Sequence, residues 1–424
     1  MIFKCNTQLL SSTIARWQTS VRSAILLFGI LTLFFVWTVA LQAQQTERTE
    51  RPRRVGAPPV TSPAAPTPPP PAPPSPNADS SAPDDEDEVV RVETDLVTVP
   101  VVVTNTRGGR VAALRAEDFR LYEDNRSQTI ASFSATETPF EVALLLDTSG
   151  STRAEVNLIR RAAHVFINAL RAGDRVAILA FNTAEDAGDR LAAVDVKIDL
   201  TSDREKLHRA VDLVGASSGT PYYDALERVA NRIFRDLPRE EVRGRRALVA
   251  LTDGVDSSSD EDYREARAAL LNRGLICYFV QINTEDFVEE RLLKDCADDG
   301  TLRLSRTQLQ RYRRIFVPRA DASEYLNFCR LGEFQRMQIS RDLYNLARRE
   351  MSELAKESGG KTFPTVDLVD ARRAFAQVAA EIGTQYSLSY YPTNKERQGR
   401  FRKIRVEVKG IAGALVRARE GYTR

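Results

Sequence analysis

Strand-length apolar runs alternate with amphipathic helical stretches between residues 141 and 283, and this alternation limits the possible folds more than any other feature. The strand candidates are residues 142–146, 176–181, 194–200, 247–251 and 275–282. The helical stretches between them are residues 154–170, 203–214, 222–235 and 260–272. Such alternation predicts an α/β domain with a mostly parallel sheet covered on both faces. The nearly continuous hydrophobic strands are typical of sheets of this kind.

Polar residues follow two of these strands directly. Asp147-Thr148-Ser149-Gly150-Ser151 comes after the first strand, and Thr252-Asp253-Gly254 comes after the fourth. A third group, Ser217-Ser218-Gly219-Thr220, lies in a loop before a helix. Carboxylate and hydroxyl oxygens are hard ligands that suit Mg²⁺ or another small divalent cation. Ligand sites in doubly wound sheets form outside the carboxyl ends of the strands, so the pattern predicts a metal site there.

This combination resembles the metal-ion-dependent adhesion site of the von Willebrand factor A family, which joins a D-x-S-x-S loop, a separate Thr and a separate Asp. The resemblance covers about residues 141–283 and continues at about residues 341–383. It implies a doubly wound, mostly parallel, Rossmann-like sheet.

The resemblance also implies a role for each site residue. Ser149 and Ser151 would be direct hydroxyl ligands, and Thr220 would be a third that moves in and out of the inner shell. Asp147 and Asp253 would act directly or through water, which suits Mg²⁺ because it keeps several waters when bound. The implied cofactor is Mg²⁺, with Mn²⁺ or Ca²⁺ as alternatives.

A simpler interpretation is that these residues only shape the local backbone. Ser149 or Ser151 could cap the following helix, and Asp253-Gly254 could form an ordinary turn. That interpretation does not explain why hydroxyl and carboxylate groups stand at several strand ends at once.

The N-terminal segments predict export. A basic flank at residues 1–22 precedes the uncharged, strongly apolar residues 23–46, which are long enough to span a bilayer. A cleaved signal peptide is the alternative, because Thr38-Val39-Ala40 offers a small-residue cleavage site. The protein is therefore expected either at the inner membrane, facing the periplasm, or as a secreted protein. Residues 47–88 are rich in Pro and then in acidic residues, which predicts a disordered linker.

Apolar residues alternate with polar residues or Pro in short stretches near both ends of the rest of the chain. Val97, Val99 and Val101 alternate with polar residues or Pro, and Tyr386, Leu388 and Tyr390 do the same. Neither set is large enough to bury a core, so we expect the two sets to pair with each other. Residues 89–140 and 384–424 then form one small β-sandwich-like domain, into which the α/β domain at residues 141–383 is inserted.

Residues 284–340 depart from the resembled family and are interpreted as an insertion. Six arginines and no acidic residue lie between residues 301 and 319, which indicates either a contact surface for an anionic partner or a solvated helical face. Cys296 and Cys329 both lie in the insertion, and an oxidising compartment would permit a disulfide between them. Cys277 falls in a predicted strand and is expected in the core.

Composition limits the function classes. The formal net charge is only +2, which gives no argument for nucleic acid as a partner. The chain has only two histidines, far apart in sequence, which argues against an enzyme with an imidazole-based catalytic centre. The expected function is metal-dependent binding of a partner protein that supplies a carboxylate to the cation. A metal-assisted hydrolase and a scaffold with a purely structural metal are the alternatives.

Overall fold

The computed structural model describes residues 96–134, 138–149, 156–186, 189–239, 242, 244–294, 304–396 and 399–423. The predicted flank (1–22), membrane span or signal (23–46) and linker (47–88) lie outside these ranges. Within the ranges, no helix is both long and apolar enough to cross a membrane.

A six-stranded sheet forms the centre of the α/β region. In chain order its strands are β5 (Glu141–Leu146), β6 (Arg175–Asp186), β7 (Asp189–Thr201), β8 (Arg246–Thr252), β9 (Ile276–Ile282) and β10 (Lys361–Thr365). Their spatial order is β10-β9-β8-β5-β6-β7, and every pair is parallel except β6 with β7. All residues of β5 and β8 are buried, as expected for central strands covered on both faces. The strands predicted from the apolar runs are confirmed.

Helices cover both faces of this sheet. In chain order, the α-helices of the described residues are α1 (Val156–Ala169), α2 (Arg204–Asp212), α3 (Tyr222–Arg228), α4 (Tyr263–Asn272), α5 (Glu285–Leu292), α6 (Arg306–Phe316), α7 (Glu333–Ser358) and α8 (Leu368–Ile382). A π-helical turn, Val229–Ile233, continues α3. On α1 the buried residues include Ile159, Ala163 and Phe166, which is the spacing of one helical face. Phe166 packs against Phe375 of α8, with 5.4 Å between ring centroids.

The connection from α7 to β10 requires two glycines. Gly359 ends α7 with a φ of 84°, in the left-handed region that glycine adopts without strain. A Cβ at Gly360 would lie 2.0 Å from the carbonyl oxygen of Cys277, so only glycine fits there. Cys277 itself is fully buried in β9, which confirms the prediction that it is a core residue.

Strands from both ends of the described chain pair with each other in two four-stranded sheets. The N-terminal strands are β1 (Val97–Thr104), β2 (Phe119–Glu123), β3 (Arg126–Gln128) and β4 (Ile130–Ser134). The C-terminal strands are β11 (Tyr386–Tyr390), β12 (Phe401–Val408), β13 (Leu415–Ala418) and β14 (Gly421–Thr423). One sheet has the order β13-β1-β11-β4, and the other has the order β14-β12-β2-β3. Side chains of both sheets, including Val99, Leu121, Leu388 and Val406, share one hydrophobic cluster.

The described part of residues 284–340, which the sequence analysis interprets as an insertion, is helical and shares a small core with the start of α7. Val288 of α5, Leu309 and Tyr312 of α6, and Leu343 of α7 belong to one cluster of buried residues. Cys329 is disulfide-bonded. The predicted pairing with Cys296 stays a prediction, because Cys296 lies outside the described residues.

Candidate metal-binding site

Asp147 stands at the carboxyl end of β5, at the centre of the sheet. Its backbone N–H donates to the carbonyl of Leu251 in β8, at 2.9 Å. Its carboxylate accepts from the N–H of Ser149 at Oδ1 (3.0 Å) and from the hydroxyl of Thr252 at Oδ2 (2.6 Å). Asp147 is fully buried and Ser149 is only 3% exposed. The neighbouring strand β8 therefore fixes the carboxylate in place.

Asp253 follows β8 and is held from the other side. Its Oδ1 accepts from the N–H of Val255 (2.9 Å), and its Oδ2 accepts from the hydroxyl of Thr284 (2.6 Å). The Thr284 hydroxyl also lies 2.7 Å from the hydroxyl of Tyr344 on α7. The second carboxylate is thus connected to the end of β9 and to the long helix that follows the insertion.

The loop of Thr220 is tied to both of the other loops. Ser217 donates its N–H to the carbonyl of Thr148, at 2.7 Å, next to the first carboxylate. Thr220 donates its N–H to the hydroxyl of Ser257 (2.8 Å), and its carbonyl accepts from the N–H of Ser257 (3.0 Å). Three loops that are distant in sequence therefore meet at one edge of the sheet.

The structure brings together the four predicted site residues that it describes. Ser149, Thr220 and Asp253 line one cavity of about 160 Å³, and Asp147 lies directly behind Ser149 and Thr252. Ser151 lies outside the described residues, so its predicted role stays a prediction. Sequence reasoning missed Thr284 and Tyr344. Thr284 follows a strand end as Asp147 and Asp253 do, which was a usable signal, whereas nothing in the sequence singled out Tyr344.

The electrostatics of this edge favour a cation. Burial raises the pKa of Asp147 above its usual range, and the nearby negative charge of Asp253 raises it further. Among the described residues that line the cavity, none is basic. No described group of three or more His, Cys, Asp or Glu side chains could hold a metal ion. The predicted site has two such residues and draws its other donors from hydroxyls, so its donor set fits a small hard cation such as Mg²⁺.

A buried polar network lies beside the site and joins α3, α6 and α7. Arg311 forms an ion pair with Asp256, with 2.5 Å between Nη1 and Oδ2, and its guanidinium lies 4.5 Å from the ring centroid of Tyr223. Tyr223 donates its hydroxyl to Glu350 on α7, at 2.7 Å. Asp256 also accepts from the N–H of Tyr222, at 3.0 Å, at the start of α3. For Arg311 the solvated-face interpretation is therefore wrong, because this side chain is only 8% exposed and neutralises a buried carboxylate.

Glu350 gives this network a measurable pH dependence. Burial raises the pKa of Glu350 to about 7, whereas an unfolded Glu titrates at about 4.3. Between these values only the folded state holds the proton, so stability falls as the pH rises through this window, by up to roughly 3 kcal/mol. We expect Glu350→Gln to remove most of this decline, as measured by urea unfolding at pH 5 and pH 8. The control is Glu353→Gln, an exposed residue on the same helix. An undiminished decline in the Glu350 variant would contradict the assignment.

Comparisons with known proteins agree with this fold class. The central sheet is mostly parallel, and carboxylates and hydroxyls stand at the carboxyl ends of β5 and β8. These features define a doubly wound domain with a candidate ligand site at the point where the strand order reverses. Residues 141–309 match the family model of the von Willebrand factor type A domain, and this part of the chain is a domain of that family. No curated protein matches the chain.

Solved structures are similar at low sequence identity. Proximal thread matrix protein 1 from the mussel byssus matches at 13% identity and a TM-score of 0.35, over 61% of this chain and 50% of that chain. This chain therefore spans about half the length of the mussel structure. A von Willebrand factor type A structure from Catenulispora acidiphila matches at 13% identity and a TM-score of 0.35, over 78% of this chain and 75% of that chain. The N-terminal domains of the type V pili tip protein Mfa5 from Porphyromonas gingivalis match at 14% identity and a TM-score of 0.23, over 39% of this chain and 28% of that chain.

Proposed function

We propose that this protein is an exported, metal-dependent protein-binding module. In this proposal Ser149, Ser151 and Thr220 supply hydroxyl ligands to Mg²⁺, and Asp147 and Asp253 act directly or through water. The cation keeps one coordination position for a carboxylate of a partner protein. The observation that carries the proposal is the convergence of Asp147, Ser149, Thr220 and Asp253 at one edge of the sheet. Domains of this family commonly mediate protein interaction and adhesion.

The chemistry of the cavity supports binding over catalysis. Among the described residues that line it, Asp253 is the one Asp, Glu, His, Cys or Lys side chain, and in this proposal it serves the cation and not a substrate proton. The one tyrosine there, Tyr344, is hydrogen-bonded to Thr284, and burial raises its pKa well above its usual range. The cavity is only partly enclosed, which suits an exchangeable ligand better than a purely structural metal.

We further propose that the paired strands at the two ends form one small β-sandwich-like domain that carries the α/β domain as an insertion. Its support is the antiparallel pairing of β1 with β11 and of β2 with β12. In this arrangement the predicted linker at residues 47–88 holds the folded part away from the membrane, to which residues 23–46 would anchor it if they are not cleaved.

Capture of a partner from envelope extract tests the proposed function. The wild-type protein is expected to retain the partner in Mg²⁺ and to release it in chelator. Asp147→Asn is expected to retain it in neither condition, while an exposed variant such as Asp199→Asn should behave like the wild type. Equal capture by the wild-type protein with and without chelator would contradict a metal-dependent mechanism.

A further inference from the structure

The two histidines of the chain, His164 on α1 and His208 on α2, lie side by side. Their Nδ1 atoms are 2.6 Å apart, and their ring centroids are 4.8 Å apart. Neither residue lines the cavity at the candidate metal site. Arg160 of α1 donates Nε and Nη2 to the carbonyl of Val214, just after α2, at 3.0 and 2.6 Å. The two helices are therefore held together here by contacts that do not involve the imidazoles.

The outer nitrogen of each imidazole is hydrogen-bonded to an oxygen. Nε2 of His164 lies 2.9 Å from Oδ1 of Asp212, and Nε2 of His208 lies 3.0 Å from Oδ1 of Asn168. An ionised carboxylate and an amide oxygen can only accept, so each Nε2 carries the hydrogen. In a neutral imidazole the other nitrogen then has a free lone pair. The two Nδ1 lone pairs therefore face each other.

Two lone pairs at this distance repel each other unless a positive ion lies with them. A shared proton is one such ion, but the surroundings disfavour it. Burial lowers the pKa of His208, and the neighbouring His164 lowers it further. Asp212 has the opposite, smaller effect, and Arg204 again lowers this pKa. A metal ion is the alternative, and metal-binding histidines typically donate the second ring N–H to a carboxylate or another oxygen, as both of these do.

From this geometry we propose that His164 and His208 form a second metal site, which binds a divalent transition metal such as Zn²⁺ through the two Nδ1 atoms. Imidazole suits Zn²⁺, Ni²⁺ or Cu²⁺, whereas Mg²⁺ prefers oxygen ligands. Zn–N bonds of about 2.0–2.1 Å in a tetrahedral site need the two nitrogens roughly 3.3 Å apart, so the rings must separate slightly. Asp212 lies on the far side of His164 and positions that ring without binding the ion.

The remaining coordination positions belong to water, because the side chain of His164 is 28% exposed. With two protein ligands the site binds more weakly than a closed structural zinc site, which has four. The bound ion links α1 to α2 and so stabilises the folded chain. This inference does not depend on the proposed function, since it uses other residues and another class of metal.

Calorimetric titration of the full chain with Zn²⁺ at neutral pH, in excess Mg²⁺, tests the site. Asp212→Ala keeps both ligands but frees one ring, so we expect about tenfold weaker binding, the lower end of the usual effect of such partners. His164→Gln and His208→Gln each remove a ligand and should weaken binding by more than that. Arg209→Gln is the matched control, because this residue of α2 is 66% exposed and touches neither imidazole nitrogen. Zn²⁺ binding of wild-type strength in both histidine variants would overturn the inference, as would a wild-type protein that binds no Zn²⁺.

Two further measurements identify the ligand atoms. Cu²⁺ bound to the wild-type protein should show electron paramagnetic hyperfine coupling to two nitrogens, and to one in either histidine variant. The same spectrum in all three proteins would contradict the site. At about pH 5 both imidazoles are protonated and Zn²⁺ binding should be lost, whereas undiminished binding would exclude imidazole ligands. Asp147→Asn should bind Zn²⁺ at the histidines as the wild type does, so failure of either proposal leaves the other standing.

Discussion

Mg²⁺ is expected to raise the melting temperature of the wild-type protein and to leave that of Asp147→Ala unchanged. A ligand that binds only the folded state stabilises it by about 2.7 kcal/mol at a hundredfold excess over Kd. Asp147 is fully buried behind Ser149 and Thr252, so its removal eliminates one of the two charges that would hold the cation. Differential scanning calorimetry with and without Mg²⁺ measures the effect.

Two further variants separate metal binding from folding. Asp147→Asn keeps an oxygen that can accept from Thr252 but carries no charge, so it should still fold without metal and show no response to Mg²⁺. Asp174→Asn removes a buried carboxylate that accepts from Phe140 and Arg171 before β6, and it should keep the full response. A full Mg²⁺-dependent shift in Asp147→Ala would refute the site assignment.

Deletion of residues 385–424 is expected to remove hydrogen-exchange protection from β1, β2 and β4. The deletion takes away β11, which lies between β1 and β4, and β12, which pairs with β2. The N-terminal strands would lose both their ladder partners and the hydrophobic cluster that they share with Leu388 and Val406. Protection in β5 and β8 should persist, because their partners lie within the six-stranded sheet. Unchanged protection in β1 would contradict the pairing.

A point variant tests the same pairing without removing chain. Leu388 is fully buried and lies opposite Val99 on one side and Phe133 on the other. Leu388→Ala is expected to lower the free energy of unfolding by about 2–5 kcal/mol. Leu415→Ala is the matched control, because Leu415 is 58% exposed and its truncation should change stability by less than about 0.5 kcal/mol. Equal effects of the two variants would mean that Leu388 does not pack in this core.

Local patterns in the sequence were sufficient to predict the α/β region and where four of the five candidate site residues lie in it. Central parallel strands are buried on both faces, so β5 and β8 appear as continuous apolar runs. The polar residues that follow them must then lie at one edge of the sheet, which placed Asp147 beside Asp253. The antiparallel pairing of the two ends was predictable for a similar reason, since neither set of alternating strands could bury a core alone.

Contacts between distant segments that lack a repeating pattern could not be predicted in this way. Arg311 appeared to belong to a solvated basic stretch, and only the fold shows that it pairs with Asp256. His164 and His208 lie on different helices, yet their Nδ1 atoms are 2.6 Å apart. The position of Ser340 and Tyr344 over the site depends on how the insertion packs against the sheet. That packing follows from nonrepetitive tertiary contacts, which a single sequence does not reveal.

The most direct test of the central proposal is to locate Mn²⁺, which should substitute for Mg²⁺, by anomalous diffraction from crystals of the protein. The account predicts one peak in the cavity at the carboxyl ends of β5 and β8. It predicts direct bonds to Ser149 and Ser151, with Asp147 and Asp253 bound directly or through water. The corresponding crystals of Asp147→Asn should show no peak at this position. A wild-type map without a peak there, under conditions in which the cavity is open to solvent, would contradict the proposed metal site.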